Sequence, residues 1–388
     1  MTSQLKVLHI ASFIGNIGDN AMHDGAYRTR AEDLDACLSY DKLEIREFIH
    51  WKTRRFDSSF VKDANKYDAI IVGGDSLLQM WREDTPTGTY VDAKPDFFDL
   101  IERPVCFYGL GVDATRGVSP NAMSKCRGFL DKLMASDKRL FSVRDDESIN
   151  FVRDHIGKEF AQKFEVISDG GLFCLPDHHE HACIPQNCDR FVIVNLAGDM
   201  PEKRFQASER VDKGLKDFCR KFASGLSELL RNDQGLGCVF VPHIHSDLAI
   251  ISQTMSFMDD LQRRTRVGVA PYLQGEAWSA GFDLYRHAAV VIAMRFHANL
   301  VPLGLGTPTI GISTHHKVEG LYRSFELADR CVEVKSASDL DKTFSLAAST
   351  LANEQAGLKV RQKKIYTQKR RSLADFHNKM NVWLEQNA

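Results

Sequence analysis

The residues with the most chemistry lie between 289 and 317. Ala289-Val290-Val291-Ile292-Ala293-Met294 is an unbroken apolar run and reads as a buried strand. It delivers Arg295 at its carboxyl end, and a helix expected over Phe296 to Leu305 starts at once with His297 in its first turn. A helix N-terminus with free N–H groups and no acidic residue in its first turn favours an anion. Arg295 adds a planar fork suited to carboxylate or phosphate. An imidazole such as His297 can donate or accept a proton near neutral pH. The next expected strand, Thr309 to Ser313, runs on into Thr314-His315-His316-Lys317. If the two strands are neighbours, Lys317 reaches the same crevice. Arg, His and Lys with no carboxylate among them predict a small di- or trianion. The competing local reading makes Arg295 half of a structural ion pair and His297 a helix cap.

These groups need elements to hold them. Leu5 to Ala11 reads as a strand, followed by the loop Gly15-Asn16-Ile17-Gly18-Asp19, a helix over Ala21 to Leu38 and a strand over Leu43 to Ile49. Tyr67 to Val72 breaks at Gly73-Gly74, and Val105 to Gly109 runs into Gly109-Leu110-Gly111. Leu140 to Val143 leads to Arg144 and a helix from Asp145, and Phe164 to Ile167 precedes Ser168-Asp169-Gly170-Gly171. Strand, glycine or charged loop, then helix, repeated, is the pattern of a parallel α/β sheet. Residues 176–190 carry prolines, histidines and two cysteines without periodicity and read as a crossing loop. The pattern then restarts, with strands at Phe191 to Leu196, Cys238 to Val241, Arg266 to Val269 and Cys331 to Val334. Helices are expected at Lys213 to Arg231 and Trp278 to Tyr285. The apolar stripe Leu351, Leu358, Ile365, Leu373, Phe376, Met380 and Leu384 predicts a long final helix over Ala352 to Glu385. The economical organisation is a first α/β domain over 1–180, a second over 190–350 and a helical region over 351–388, with a cleft between the α/β halves. Ligands of such sheets bind outside the carboxyl ends of the strands.

Composition narrows the class. The 388 residues are 43% hydrophobic and 26% charged, values of a globular chain rather than a disordered or fibrous one. With 50 Lys and Arg against 52 Asp and Glu, the net charge of −2 argues against bulk binding of nucleic acid. No run approaches the ~20 apolar residues of a membrane span. The N-terminus lacks the apolar core and cleavage site of a signal peptide. Nine cysteines without a CxxC pair suggest reduced thiols. Together these predict a cytoplasmic protein.

The order of these motifs resembles the polysaccharide pyruvyl transferase family. Gly15-Asn16-Ile17-Gly18-Asp19-Asn20 is similar to its N-terminal GNxGD loop, and Gly73-Gly74-Asp75-Ser76-Leu77 to its second glycine motif, with Asp75 where a third glycine is common. Gly109-Leu110-Gly111, Ser142-Val143-Arg144-Asp145 and Ser168-Asp169 follow in the family's order. Arg295-Phe296-His297, then Gly304-Leu305-Gly306-Thr307-Pro308 and Lys317, resemble its most diagnostic block. No one glycine motif is specific, whereas their order and spacing are. The resemblance implies two Rossmann-like domains in a GT-B-like arrangement. It also implies transfer of a pyruvyl group from phosphoenolpyruvate to two sugar hydroxyls, giving a cyclic ketal and phosphate. By the same resemblance Arg144, Arg295, His297 and Lys317 fall where members hold phosphoenolpyruvate, and the chemistry of the transfer makes His297 the expected acid/base residue and Arg295 its catalytic partner. The implied acceptor is a sugar, oligosaccharide or lipid-linked glycan. Gly15, Asn16, Gly18, Asp19, Asn20 and Asp75 would meet it, unless Gly15 to Asn20 only turns the chain and caps a helix. No metal or resident cofactor is required.

Weaker signals carry two readings each. His243, His245 and Asp247 follow a strand end and either line the cleft or, for Asp247, cap a helix. His178, His179, His181, Cys183 and Cys188 are zinc-capable types whose spacing fits no common zinc pattern, so no metal is expected. Lys359, Arg361, Lys363, Lys364, Lys369, Arg370 and Arg371 form either a solvated helix face or a peripheral contact with anionic lipid. The alternative function is a GT-B glycosyltransferase using a nucleotide sugar, for which Glu319 is the one available ribose-binding carboxylate. A non-catalytic sugar- or anion-binding protein is the third.

Overall fold

The computed structural model describes residues 4–205, 211–314 and 316–388. By internal packing the chain divides into two units. The first holds Met1–Ile14, Ala26–Gly170 and Gln368–Ala388, and the second holds Gly15–Gly25 and Gly171–Thr367. The glycine loop after the first strand therefore packs with the second unit, and the end of the last helix with the first.

The first unit is built on strands β1 (Gln4–Ala11), β2 (Cys37–Glu44), β3 (Ala69–Gly73), β4 (Leu78–Gln79), β5 (Val105–Leu110), β6 (Val112–Asp113), β7 (Arg139–Arg144) and β8 (Glu165–Ile167). Six form a parallel sheet in the order β2-β1-β3-β5-β7-β8, while β4 and β6 pair as a short parallel ribbon. The chain lays β2 on one side of β1 and β3 on the other, so the order reverses between β1 and β3.

The second unit contains β9 (Arg190–Asn195), β10 (Leu236–Phe240), β11 (Val267–Val269), β12 (Val290–Ala293), β13 (Thr309–Ser313) and β14 (Cys331–Glu333). These are parallel in the order β11-β10-β9-β12-β13-β14, the doubly wound arrangement whose switch point lies between β9 and β12. Val192, Val194, Val290 and Ile292 enter one core, while Phe191, Ile193, Val291 and Ala293 enter the other. Both faces of the central strands are thus covered, which is why they read as unbroken apolar runs. Ile17 and Ala21 belong to the second of these cores.

Most expected elements appear within a residue or two; the second strand and the helix before it do not. The helix runs over Ile17–Asp33, and β2 occupies Cys37–Glu44 where Leu43 to Ile49 was expected. Residues Arg46–Ile49 are instead a short helix. The physical reason is an edge strand: Ser39, Asp41 and Lys42 pair only with β1, and their polarity hides the strand. The strand stops at Glu44, whose carboxylate accepts hydrogen bonds from the backbone N–H of Phe13 (2.7 Å), Ile14 (3.0 Å) and Arg46 (3.0 Å). After Arg144, the helix starts at Ser148, because Glu147 takes a left-handed conformation (φ 69°).

The final helix spans Gln355–Asn387 and buries Leu373, Phe376, Met380 and Leu384. Among the described residues four of its basic residues are tied down: Arg361 to Asp329, Lys369 to Asp145, Arg370 to Glu32 and Asp33, and Lys379 to Glu165. That matches a partly paired solvated face. In the first unit His377 donates from Nδ1 to the Asp33 carboxylate (2.7 Å), so its Nε2 accepts from the Tyr108 hydroxyl (2.9 Å). Arg30 is buried beside them, its guanidinium 4.7–5.3 Å from the ring centres of Tyr108, Tyr40 and Tyr27.

Two outcomes follow from this packing. Leu373→Ala removes a fully buried side chain and is expected to cost about 2–5 kcal/mol in urea unfolding. Burial also pushes His377 down to about 4, from 6.5. The unfolded chain therefore binds the extra proton first, and stability falls as pH drops from about 6.5 towards 4. His377→Gln should flatten that part of the melting-temperature profile; an unchanged slope would assign the decline to other groups.

Candidate active site

The carboxyl ends of β9, β10 and β12 meet on one buried charge. Arg295, the residue before the helix Phe296–Leu305, donates from Nε to Asp247 Oδ2 (2.7 Å) and from Nη2 to Asp199 Oδ1 (2.7 Å), with a further short bond from Nη2 to Asp247 Oδ1. Asp199 follows β9, and Asp247 opens the helix Asp247–Ser256 after β10. Asp247 also accepts from the backbone N–H groups of His243 (2.9 Å), Ile244 (3.2 Å) and Gly198 (3.1 Å). Burial alone would raise its pKa, yet the Arg295 hydrogen bonds outweigh burial and hold the carboxylate below its usual range. Arg204 binds Asp199 (3.3 Å) and donates to the Thr314 hydroxyl (3.1 Å). The expectation of a site without carboxylates is therefore corrected: Arg295 sits between two. Nη1 of Arg295 has no partner among the described residues.

Backbone bonds fix the arginine's root. Asn195 at the end of β9 accepts from Arg295 N–H (3.1 Å) and donates to the Val241 carbonyl (2.9 Å). Asn299 donates to the carbonyls of Ala293 (3.1 Å) and Arg295 (2.8 Å) and accepts from the Tyr322 hydroxyl (2.9 Å).

His297 lies in the first turn of the same helix and is buried. The loop Gly15–Asn20 packs onto it. A Cβ on Gly18 would stand 2.5 Å from His297 Nδ1 and 2.6 Å from its Cβ, so only glycine fits there. Asn16 accepts from Gly18 N–H (2.9 Å) and donates to Asp19 (3.1 Å), while Asn20 donates to the Asn16 carbonyl (3.2 Å). Asn16 thus caps the helix Ile17–Asp33, and the capping reading of this loop holds alongside its contact with His297. The Gly15 carbonyl accepts from the Tyr272 hydroxyl (3.4 Å).

The remaining expected residues distribute as follows. Lys317 stands half-buried in the first turn of the helix His316–Ser324, after β13, the neighbour of β12; His315 lies outside the described residues. His243 is buried with Nε2 against the Tyr285 hydroxyl (2.8 Å), and burial pushes it down to about 3, so it stays neutral. His245 is exposed.

Asp75 and Arg144 belong to the first unit. There, Asp75 follows β3 and accepts from the Ser12 hydroxyl (2.6 Å), at the reversal between β1 and β3. Arg144 is buried against Asp146 (3.2 Å) and Asp169 (3.3 Å) and reaches Ser76 (3.3 Å). A Cβ on Gly111 would lie 2.2 Å from its Nη2. The residues that sequence reasoning missed are Asp199, Arg204 and Asn195. All but Arg204 lie at the end of β9, so applying the switch-point rule to both strands would have found them.

Among curated proteins none matches this chain. Solved structures share its fold. The UDP-GlcNAc 2-epimerase of Methanocaldococcus jannaschii is 11% identical, with 92% of this chain and 98% of that one covered at a TM-score of 0.53. MnaA of S. aureus, solved with UDP, is 8% identical, with 92% and 90% covered at 0.53. Anabaena HepE, in complex with UDP and glucose, is 13% identical, with 95% and 99% covered at 0.52. At such identities the likeness concerns fold alone, and it agrees with the two Rossmann-like sheets described above. The sequence model of the polysaccharide pyruvyl transferases matches residues 16–316, from the Asn16 loop through Arg295 and His297 to His316, and the chain belongs to that family.

Proposed function

We propose that the chain transfers the pyruvyl group of phosphoenolpyruvate to two hydroxyls of a sugar in a glycan or glycan precursor, forming a cyclic ketal and releasing phosphate. The observation that carries this reading is the pairing of Arg295 with His297 at the β9/β12 switch point, inside the segment matched by the family. Ketal formation protonates the methylene carbon, which makes C2 electrophilic. One hydroxyl attacks C2, phosphate leaves, and the second hydroxyl closes the ring. Of the two hydroxyl protons, one ends on the new methyl group and the other leaves with phosphate.

In this scheme His297 is the acid/base residue. Arg295 holds an anionic group of the donor through Nη1, with Asp247 and Asp199 fixing its other nitrogens. Lys317 supplies further positive charge. The loop Gly15–Asn20 sets the position of the His297 ring and borders the acceptor. Because Asp247 and Asp199 offset part of the cationic charge, the donor is held by direction as much as by net charge.

A nucleotide-sugar donor is the second reading, since two of the similar structures contain UDP. Glu319 gives it little support, as its carboxylate is engaged by Arg323 on the same helix.

Three measurements separate these readings. Phosphoenolpyruvate at about 100 times its dissociation constant adds about 2.7 kcal/mol of stability, a visible thermal shift. The shift should vanish in Arg295→Ala, and a shift with UDP or UDP-sugars alone would instead favour the glycosyltransferase. His297→Ala should lower phosphate release with acceptor by about 100-fold or more while keeping the phosphoenolpyruvate shift; undiminished turnover would remove His297 from the chemistry. Gly18→Ala should lower turnover by displacing the His297 ring, whereas Gly15→Ala, with open space at its Cβ but a left-handed backbone (φ 91°), should cost stability more than rate.

A further inference from the structure

The crossing segment 176–190 contains histidines that the sequence pattern left without a role. In the second unit they converge on one carboxylate of a different element. Asp283, on the helix Trp278–Arg286, has a side chain with no solvent exposure. Around its Oδ2 lie His181 Nε2 at 3.1 Å, His287 Nε2 at 3.6 Å and His178 Nδ1 at 3.7 Å. The ligand atoms of His178, Asp283 and His287 all lie within 4.8 Å of one another.

Part of this arrangement is a structural strap. Asp283 Oδ2 accepts from the backbone N–H of His179 (2.9 Å), Ser279 accepts from Asp177 N–H (2.7 Å), and Arg286 donates to the Pro176 carbonyl (2.8 Å). The strap requires neither His178 nor His287. Their nitrogens stand beyond hydrogen-bond length from Oδ2. They match instead the edge of a tetrahedral site, about 3.3 Å for metal–ligand distances of about 2.0–2.1 Å. Asp283 Oδ1 has no hydrogen-bond partner among the described residues, with Arg286 Nη1 3.5 Å away. A backbone N–H on the carboxylate is the support that orients metal-binding carboxylates.

We propose that His178, Asp283 and His287 bind a divalent zinc ion, while His181 Nε2 stays hydrogen-bonded to Asp283 Oδ2 (3.1 Å) and supports the carboxylate. Neutral imidazoles and a carboxylate suit zinc, and the absence of thiolate from the set disfavours softer monovalent ions. Cys183 and Cys188 are not part of it: they pack at Gly268 and Gly237, beside β11 and β10. The ion would fasten the strap to the helix Trp278–Arg286, which also carries the Tyr285 hydroxyl bonded to His243. His178 is largely exposed, so the ion can enter from solvent. This role is structural and adds no step to the pyruvyl transfer.

The test uses untagged full-length protein stripped with EDTA, dialysed and titrated with zinc chloride, with bound metal counted by mass spectrometry and unfolding followed by calorimetry. One zinc per chain and a raised melting temperature are expected. The double variant His178→Ala/His287→Ala, at exposed or half-exposed positions, should keep the fold by circular dichroism and lose at least about 100-fold in zinc affinity. Asp283→Asn should lose binding too, but it also loosens the strap, so the double variant decides. No retained zinc in the stripped and reloaded protein, or equal binding by the double variant, would overturn the site.

Discussion

A buried guanidinium at a topological switch point organises the second unit. Taking an unpaired charge out of water costs on the order of several kcal/mol even after relaxation. Arg295 is therefore tenable only because Asp247 and Asp199 arrive with it. Asp247 does more than neutralise: its oxygens also receive the N–H groups of Gly198, His243 and Ile244. One carboxylate thus ties the ends of β9 and β10 to the residue after β12. Losing either member of this pair leaves the other charge buried, which disturbs three strand ends at once. The same bonds fix the orientation of the Arg295 fork.

The sheets were legible because their central strands are covered on both faces. Val290 to Ala293 and Phe191 to Asn195 could be read from apolar character alone, and the helix Phe296–Leu305 and strand Thr309–Ser313 fall at their expected bounds. The edge strand β2 was not legible, because Asp41 and Lys42 face water and break the apolar pattern. Arg295 and His297 could be singled out by their place after a buried strand. The carboxylates that match Arg295 come from positions 48 and 96 residues earlier. No local pattern links such distant positions, and only the strand order brings them together. The crossing segment 176–190 illustrates the same limit. Its histidines have no metal spacing among themselves, since their common partner, Asp283, lies on a helix about a hundred residues on.

The glycine motifs acquire a physical meaning from what lies against them. Gly18 and Gly111 are not needed for unusual backbone angles, as neither is among the glycines with positive φ. Each is instead a gap into which a buried side chain fits. His297 lies where a Cβ of Gly18 would be, and the Arg144 guanidinium lies where a Cβ of Gly111 would be. In the first unit that gap lets Arg144 at the end of β7 pass the end of β5 and reach Ser76, which follows β3. A methyl group at position 111 would block the crossing, and one at position 18 would push the imidazole off its helix turn. The motif glycines therefore set side-chain positions, not only chain turns.

The two units solve one electrostatic problem by different topologies. Arg144 is held by Asp146 and Asp169, and Arg295 by Asp199 and Asp247. Asp146 comes from the arginine's own strand end, Asp169 and Asp199 from the neighbouring strand, and Asp247 from β10, one strand further on, so the arginine is set by the fold before any ligand arrives. An anionic ligand at either arginine would meet a fork already oriented, and little of its binding energy would go into ordering the protein. An arginine so balanced adds little net field, so it discriminates by the direction of its N–H groups more than by charge. Phosphoenolpyruvate, the donor proposed above, carries two different anionic groups on a rigid enol and would be a ligand of that kind.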